Sequence, residues 1–141
     1  MCGKIMAYLL MIDDSPQNQR YLERIVRHRT PHTLVCARNG NEGLDKIVER
    51  RPDLIFLDLF IPGLDGFEVL KALRAHPATE NIPIVIHTAI PFDQITQIRL
   101  RRLKYHALLE FPVEASQLNH IIDTALQRSR SPARKWVPPK A

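Results

Sequence analysis

The chain has 141 residues, 45% of them hydrophobic and 25% charged, with a formal net charge of +5. This fits one ordinary globular domain with a real core and leaves no room for a second. No apolar stretch approaches the ~20 residues that cross a bilayer, and the N-terminus lacks a charged leader with a long apolar region and a cleavage site, so a cytoplasmic protein with no membrane partner is expected.

In chain order, strand-like and helix-like segments alternate. Residues 6–13 predict a first strand, whose apolar run Tyr8-Leu9-Leu10-Met11-Ile12 stops at Asp13-Asp14. Ser15-Pro16 then supplies an N-cap and a first-turn proline for a helix to about Arg29. Residues 33–37 predict a short second strand, Asn39-Gly40 a turn, and Leu44, Ile47 and Val48 the apolar face of a helix ending before Pro52. Gly43 weakens that helix by about 1 kcal/mol relative to alanine, a cost that packing must offset. Residues 54–58 predict strand three, and the loop from Pro62 to Gly66 leads into a helix carried by Phe67, Val69, Leu70 and Leu73 to about Arg74. Residues 82–88 predict strand four, 93–104 helix four, 107–110 strand five and 114–128 the last helix. Crossovers long enough for helices imply an α/β fold, a parallel sheet covered on both faces.

The domain so defined is residues 1–128, followed by a basic, proline-containing tail at 129–141 without periodicity, which is expected to be flexible. Arg128, Arg130, Arg134, Lys135 and Lys140 stand at this end with no acid among them, while the remaining Lys and Arg balance the 15 Asp and Glu. The tail could supply salt-sensitive, non-specific affinity for nucleic acid, but no reader module remains for sequence-specific binding. Arg99, Arg101, Arg102 and Lys104 form the dense basic run of the globule and read as a solvated helix face. Trp136 either docks back, binds a partner or stands uninvolved. Cys2 and Cys36 suggest neither a disulfide nor a zinc site.

Three acids sit where buried strands surface. Asp13 and Asp14 end the first apolar run, and Asp58 ends Leu54-Ile55-Phe56-Leu57. Ligands of open α/β sheets collect beyond the carboxyl ends of the strands, and a flavodoxin-like order makes strands one and three neighbours. Clustered carboxylates repel one another unless a cation neutralises them or a proton is shared. Mg²⁺ suits such a sparse oxygen site, and a carboxylate beside it can act as a nucleophile toward phosphorus; Asp58 is the best candidate. Each acid also has a plainer reading, Asp14 as a helix cap and Asp58 as the organiser of its own turn. Thr88 adds a hydroxyl at the same edge, and Ala89 after it leaves an open approach. His87 precedes Thr88 and should face the other way, as a packed or solvent-edge residue, and His76 reads as a helix-ending surface residue.

The motifs Leu9 to Ser15, Arg38 to Leu44, Pro52 to Gly66, Ile82-Pro83-Ile84-Val85 with Thr88-Ala89, and Phe111-Pro112-Val113, in this order over residues 6–128, resemble the CheY-like receiver domain of two-component response regulators. The resemblance implies a flavodoxin-like (βα)5 doubly wound sheet with strand order 2-1-3-4-5. It implies that Asp58 accepts a phosphoryl group from a histidine kinase or phosphotransfer protein. Asp14 and Asp58 would hold Mg²⁺ with the backbone carbonyl of Phe60, Asp13 would act mainly through a bound water, and Thr88 would hydrogen-bond the phosphoryl oxygen. An output protein, or a second copy in a homodimer, would bind the face of helix four, strand five and helix five.

Two positions depart from the family. The lysine expected immediately before the strand-five proline is Phe111, and the aromatic expected three residues earlier is Leu108. Phenylalanine neither neutralises carboxylates nor donates to a phosphoryl oxygen, so one electrostatic clamp is missing. The leading expectation is a single-domain receiver, a signalling phosphoacceptor rather than an enzyme beyond its own phosphorylation and dephosphorylation. The alternative is a phosphorylation-independent pseudo-receiver that acts as an interaction module. An aspartate-nucleophile phosphohydrolase is disfavoured because Phe60 stands where such enzymes place a second acid.

Overall fold

Helices cover both faces of the sheet, and this is why its inner strands begin as continuous apolar runs rather than alternating sequences. The structure, a computed structural model, describes residues 6–61, 63–88 and 93–129. Cys2, Pro62, Ala89 and the tail from residue 130, including Trp136, lie outside the described residues, as does the side chain of Arg128. The elements are β1 (Tyr8–Ile12), α1 (Pro16–Arg29), β2 (Thr33–Ala37), α2 (Gly40–Glu49), β3 (Leu54–Asp58), α3 (Gly66–Ala75), β4 (Ile84–Thr88), α4 (Gln94–Arg101), β5 (Ala107–Glu110) and α5 (Ala115–Ser129). The strands pair in parallel in the order β2-β1-β3-β4-β5, the doubly wound flavodoxin-like arrangement.

Side chains alternate across the sheet with period two and so divide the core. Leu9, Met11, Leu54, Phe56 and Val85 pack against α1 through Leu22, Ile25 and Val26 and against α5 through Leu118, Ile122 and Ala125. Leu10, Ile12, Ile55, Leu57, Ile84 and Ile86 face the other way, against Ile47 of α2, Leu70 and Leu73 of α3, and Leu100 of α4.

Local differences from the sequence expectations have physical causes. Strand β4 begins at Ile84 rather than residue 82; Pro83 has no N–H for the ladder and contributes only its carbonyl, which accepts from Ile55 N at 3.0 Å. Helix α4 is shorter than expected, since Leu103 N turns back to the Leu100 carbonyl at 2.9 Å. Asn39 is a cap rather than a free turn residue: its side chain accepts from Glu42 N at 2.8 Å, and α2 begins at Gly40. Val48 is not on the buried face of α2 but 87% exposed. The helix instead lies along Gly40, Gly43 and Ile47, because it approaches β1 so closely that a Cβ on Gly43 would sit 2.4 Å from Ile12 Cδ1.

Helix α3 starts with Asp65 as N-cap, its side chain accepting from Glu68 N at 2.9 Å. Its first residue, Gly66, lies so close beneath the end of β3 that a Cβ there would be 2.4 Å from Leu59 Cα and 2.5 Å from the Asp58 carbonyl oxygen. These are backbone atoms and cannot move aside cheaply. Gly66→Ala should therefore destabilise the domain by about 1–3 kcal/mol, as overpacking does, measured as a lower midpoint in denaturant unfolding.

Candidate functional site

Register and alternation together build the site. Ile12 of β1 pairs with Leu57 of β3, so Asp13 and Asp58, one residue further along each strand, emerge side by side. Asp58 in turn pairs with His87 of β4. Asp13 shares the parity of Leu9 and Met11, Asp58 that of Leu54 and Phe56, and His87 that of Val85, so all three belong to the sheet face covered by α1 and α5. One ligand-type atom from each of Asp13, Asp58 and His87 lies within 4.8 Å of the others.

Asp13 is completely buried. Its Oδ1 accepts from Ser15 N at 2.8 Å, and its Oδ2 accepts from Asn18 Nδ2 at 3.0 Å and lies 2.9 Å from His87 Nε2. Burial pushes its carboxyl up, but the hydrogen bonds from His87, Ser15 and Asn18 outweigh burial and hold it below the ordinary aspartate value. Asp58 is half-buried and has fewer donors; Phe60 N donates to its Oδ1 at 3.0 Å. Burial first, and then repulsion from Asp13 and Asp14, raises its carboxyl above the ordinary value against that hydrogen bond. The turn after β3 is thus ordered by Asp58 itself, the plainer reading, while its carboxylate also belongs to the cluster.

The other candidate residues are placed less tightly. Asp14 is exposed and acts on Asp58 through its charge; the cap of α1 is Ser15, whose Oγ accepts from Asn18 N at 3.2 Å. Thr88 is buried at the end of β4 on the opposite parity from His87, with its carbonyl accepting from Phe111 N at 3.1 Å. Phe60 is exposed in the turn two residues after Asp58. Leu108 packs against the core under α2, α3 and α4, and Phe111 against the core under α1 and α5.

His87 is the residue that sequence reasoning undervalued. It does face away from Thr88, but that face carries Asp13 and Asp58, so it is no ordinary packed histidine. Its ring stacks on Phe111, with centroids 4.7 Å apart and planes 15° from parallel. Phe111 also meets Tyr21 in a T-shaped contact, with centroids 6.3 Å apart, and the Tyr21 hydroxyl donates to the Val113 carbonyl. Phe111 therefore covers the imidazole rather than intruding between the carboxylates.

The two carboxylates fit a hard divalent ion such as Mg²⁺, which takes one or two carboxylates and keeps several waters. His87 does not fit as a ligand. Its buried Nδ1 has no hydrogen-bond partner, whereas a metal-ligating histidine almost always donates its other ring N–H to a partner.

The family model for the response regulator receiver domain matches residues 9–123, and the chain belongs to that family. Transcriptional regulatory protein AfsQ1 of Streptomyces coelicolor is 40% identical over 84 residues, 60% of this chain and 36% of that protein. Sporulation initiation phosphotransferase F of Bacillus subtilis is 38% identical over 81 residues, 57% of this chain and 63% of that protein. Protein PilH of Pseudomonas aeruginosa is 32% identical over 83 residues, covering 59% and 68% of the two chains. The match thus spans only about a third of AfsQ1 but about two thirds of the two shorter relatives. Among solved structures, the receiver domain of a histidine kinase from Syntrophus aciditrophicus superposes with a TM-score of 0.79 at 23% identity, over 96% of this chain and 97% of that one. The chemotaxis protein CheY4 of Vibrio cholerae gives 0.78 at 24% identity, over 86% and 100%. These two share the fold.

The opposed shifts of Asp13 and Asp58 predict a stability effect. An acid whose folded pKa is raised makes the folded state bind more protons than the unfolded state, so stability declines as pH rises through that value. Asp58→Asn removes this cost. The metal-free variant should therefore melt at a higher temperature than the wild type at neutral pH, and the difference should shrink when the pH is lowered below the ordinary aspartate value. Adding Mg²⁺ should raise the melting temperature of the wild type more than that of the variant.

Proposed function

We propose that this receiver accepts a phosphoryl group on Asp58 from a histidine kinase or phosphotransfer protein, with Mg²⁺ held at Asp58, Asp13, Asp14 and the Phe60 carbonyl. The observation that carries this reading is the pairing of a buried, hydrogen-bonded Asp13 with a half-buried Asp58 of raised pKa at the carboxyl end of the sheet. Asp13 keeps its charge and contributes a fixed negative oxygen. Asp58, less solvated than a surface acid, is the one open to attack phosphorus.

In that step an Asp58 carboxylate oxygen forms a bond to phosphorus, the bond from phosphorus to the donor's histidine nitrogen breaks, and the electron pair leaves with that nitrogen, which then takes a proton from water. The Phe60 N–H holds Asp58 Oδ1 and restricts rotation of the carboxylate, so the nucleophile is oriented before the donor arrives. Bound Mg²⁺ would neutralise charge on the transferred phosphoryl group. The Thr88 hydroxyl, delivered by the last residue of β4, is assigned to a phosphoryl oxygen.

The product signals through partner affinity at the face of α4, β5 and α5, in a cytoplasmic setting. On that face Ile95 and Ile98 of α4 are 70% and 53% exposed, giving an apolar surface for an output protein or a second copy. No helix among the described residues is long and apolar enough to cross a membrane.

A second reading, the pseudo-receiver, draws on Phe111, which places an aromatic ring on His87 and no cation beside the carboxylates. Purified protein treated with acetyl phosphate and Mg²⁺ separates the two. The wild type should gain one phosphoryl group by intact mass, a gain prevented when the metal is chelated before the donor is added, and Asp58→Asn should gain none. A wild type that stays unlabelled makes the pseudo-receiver the correct reading, and label surviving in Asp58→Asn would refute the site assignment. Thr88→Val should remain labelled but more slowly, by about 10- to 100-fold, the range of a lost hydrogen bond to a charged group.

A further inference from the structure

We infer that His87 is a positioning residue of the acceptor site: its Nε2–H, aimed by the Phe111 ring, orients the Asp13 carboxylate for the divalent ion. The inference rests on the reading of Asp13 and Asp58 as the metal-binding acids.

The geometry assigns the hydrogen. Asp13 Oδ2 can only accept from Nε2 at 2.9 Å while Asp13 is ionised, so Nε2 must carry the proton. The other ring nitrogen, Nδ1, is buried without a partner. In the Nε2–H tautomer Nδ1 presents only a lone pair, and no N–H is stranded in an apolar setting. The reverse tautomer would set two lone pairs against each other at Oδ2 and bury an unpaired N–H at Nδ1. Donation to Asp13 and an unoccupied Nδ1 are therefore one consistent arrangement.

The ring cannot drift from it. His87 is fully buried, and one ring face is stacked on Phe111. The backbone of Phe111 is itself tied to β4 through its N–H to the Thr88 carbonyl. Among the donors to Asp13, Ser15 N and Asn18 come from the start of α1, on the carboxylate's own stretch of chain. His87 alone of these reaches it from another strand, and so fixes Asp13 relative to β4. Partners of this kind behind metal-binding carboxylates change affinity without touching the metal.

The test compares the full chain with His87→Met and His87→Gln. Methionine reaches as far as the Nε2 position with no donor; glutamine places an amide N–H₂ there. All three proteins are first checked for a cooperative melt. By calorimetric titration without any phosphoryl donor, His87→Met should bind Mg²⁺ about 10- to 100-fold more weakly than the wild type, and His87→Gln should recover most of the loss. Equal binding by His87→Met, or a glutamine variant as weak as the methionine variant, would overturn the inference. Long-range ¹H–¹⁵N correlation of metal-free protein gives an independent readout: His87 should show a protonated Nε2 and a bare Nδ1, and the opposite tautomer would also overturn it. Failure of the proposed function is distinguishable, because it appears in the wild type alone as absence of both Mg²⁺ binding and phosphoryl label, and the role of His87 falls with it. Wild-type binding unaffected by His87→Met removes the inference and leaves the function standing.

Discussion

The arrangement at the carboxyl end of this sheet depends on keeping one fully buried carboxylate ionised. A buried charge is tolerated only when paired or hydrogen-bonded. Asp13 meets that condition by gathering the Ser15 amide, the Asn18 side chain and His87 Nε2 onto its two oxygens. Those donors come from the turn after β1, the first turn of α1 and the end of β4. The solvation of one side chain thus joins the start of α1 to the end of β4, two segments that backbone pairing alone leaves separate, since β3 lies between β1 and β4.

The same arrangement separates two neighbouring aspartates in character. Asp13, supplied with donors, is held below the ordinary value; Asp58, with one amide donor and two negative neighbours, is raised above it. Both acids are products of strand alternation and would be alike if only their positions at strand ends mattered. Their difference comes from the turns that follow. After β1 the chain enters α1 almost at once, and the helix N-terminus offers N–H groups to an acid. After β3 it runs through a longer loop before Asp65 caps α3, so Asp58 has a single amide within reach. Gly66, packed against the backbone of Asp58 and Leu59, keeps that loop against the end of the strand.

The strands are legible as short apolar runs alternating with helical patterns, those of β1 and β3 running into acids, and their order is what the resemblance carried by the ordered motifs implies. The failures were of phase and register. Leu44, Ile47 and Val48 look like one helical face, but the helix settles on Gly40 and Gly43, whose missing side chains allow close contact with Ile12; Val48 is left outside. The sequence places His87 on the face away from Thr88, as found, but reads it there as a packed or solvent-edge residue. Counting period two back from Asp58 and Asp13 would have put both acids on it, and the parallel register would have set His87 opposite Asp58. The contact with Phe111 was out of reach of such counting, because it depends on where the chain turns after the short strand β5.

Phe111 is best understood through that contact. A lysine at this place would add a charge on a flexible stem, free to change partners when a phosphoryl group arrives. A phenylalanine adds a flat apolar surface that holds the neighbouring imidazole in one orientation, so the contribution is direction rather than charge. The two solutions differ in what they permit afterwards. A ligand shifts a conformational equilibrium only through contacts that differ between the two states. The line of contact from the carboxylates runs from Asp13 to His87, to Phe111 just after β5, and on to Tyr21 of α1. All of these side chains lie on the α1 and α5 side of the sheet, whereas Thr88 lies on the other side of β4, toward the core that includes Leu100 of α4 and Leu108 of β5. On the proposed reading, a phosphoryl group on Asp58 would therefore have the fixed donors around Asp13 on one face of the sheet and the Thr88 hydroxyl assigned to the other, and only a contact it makes anew could act as a switch.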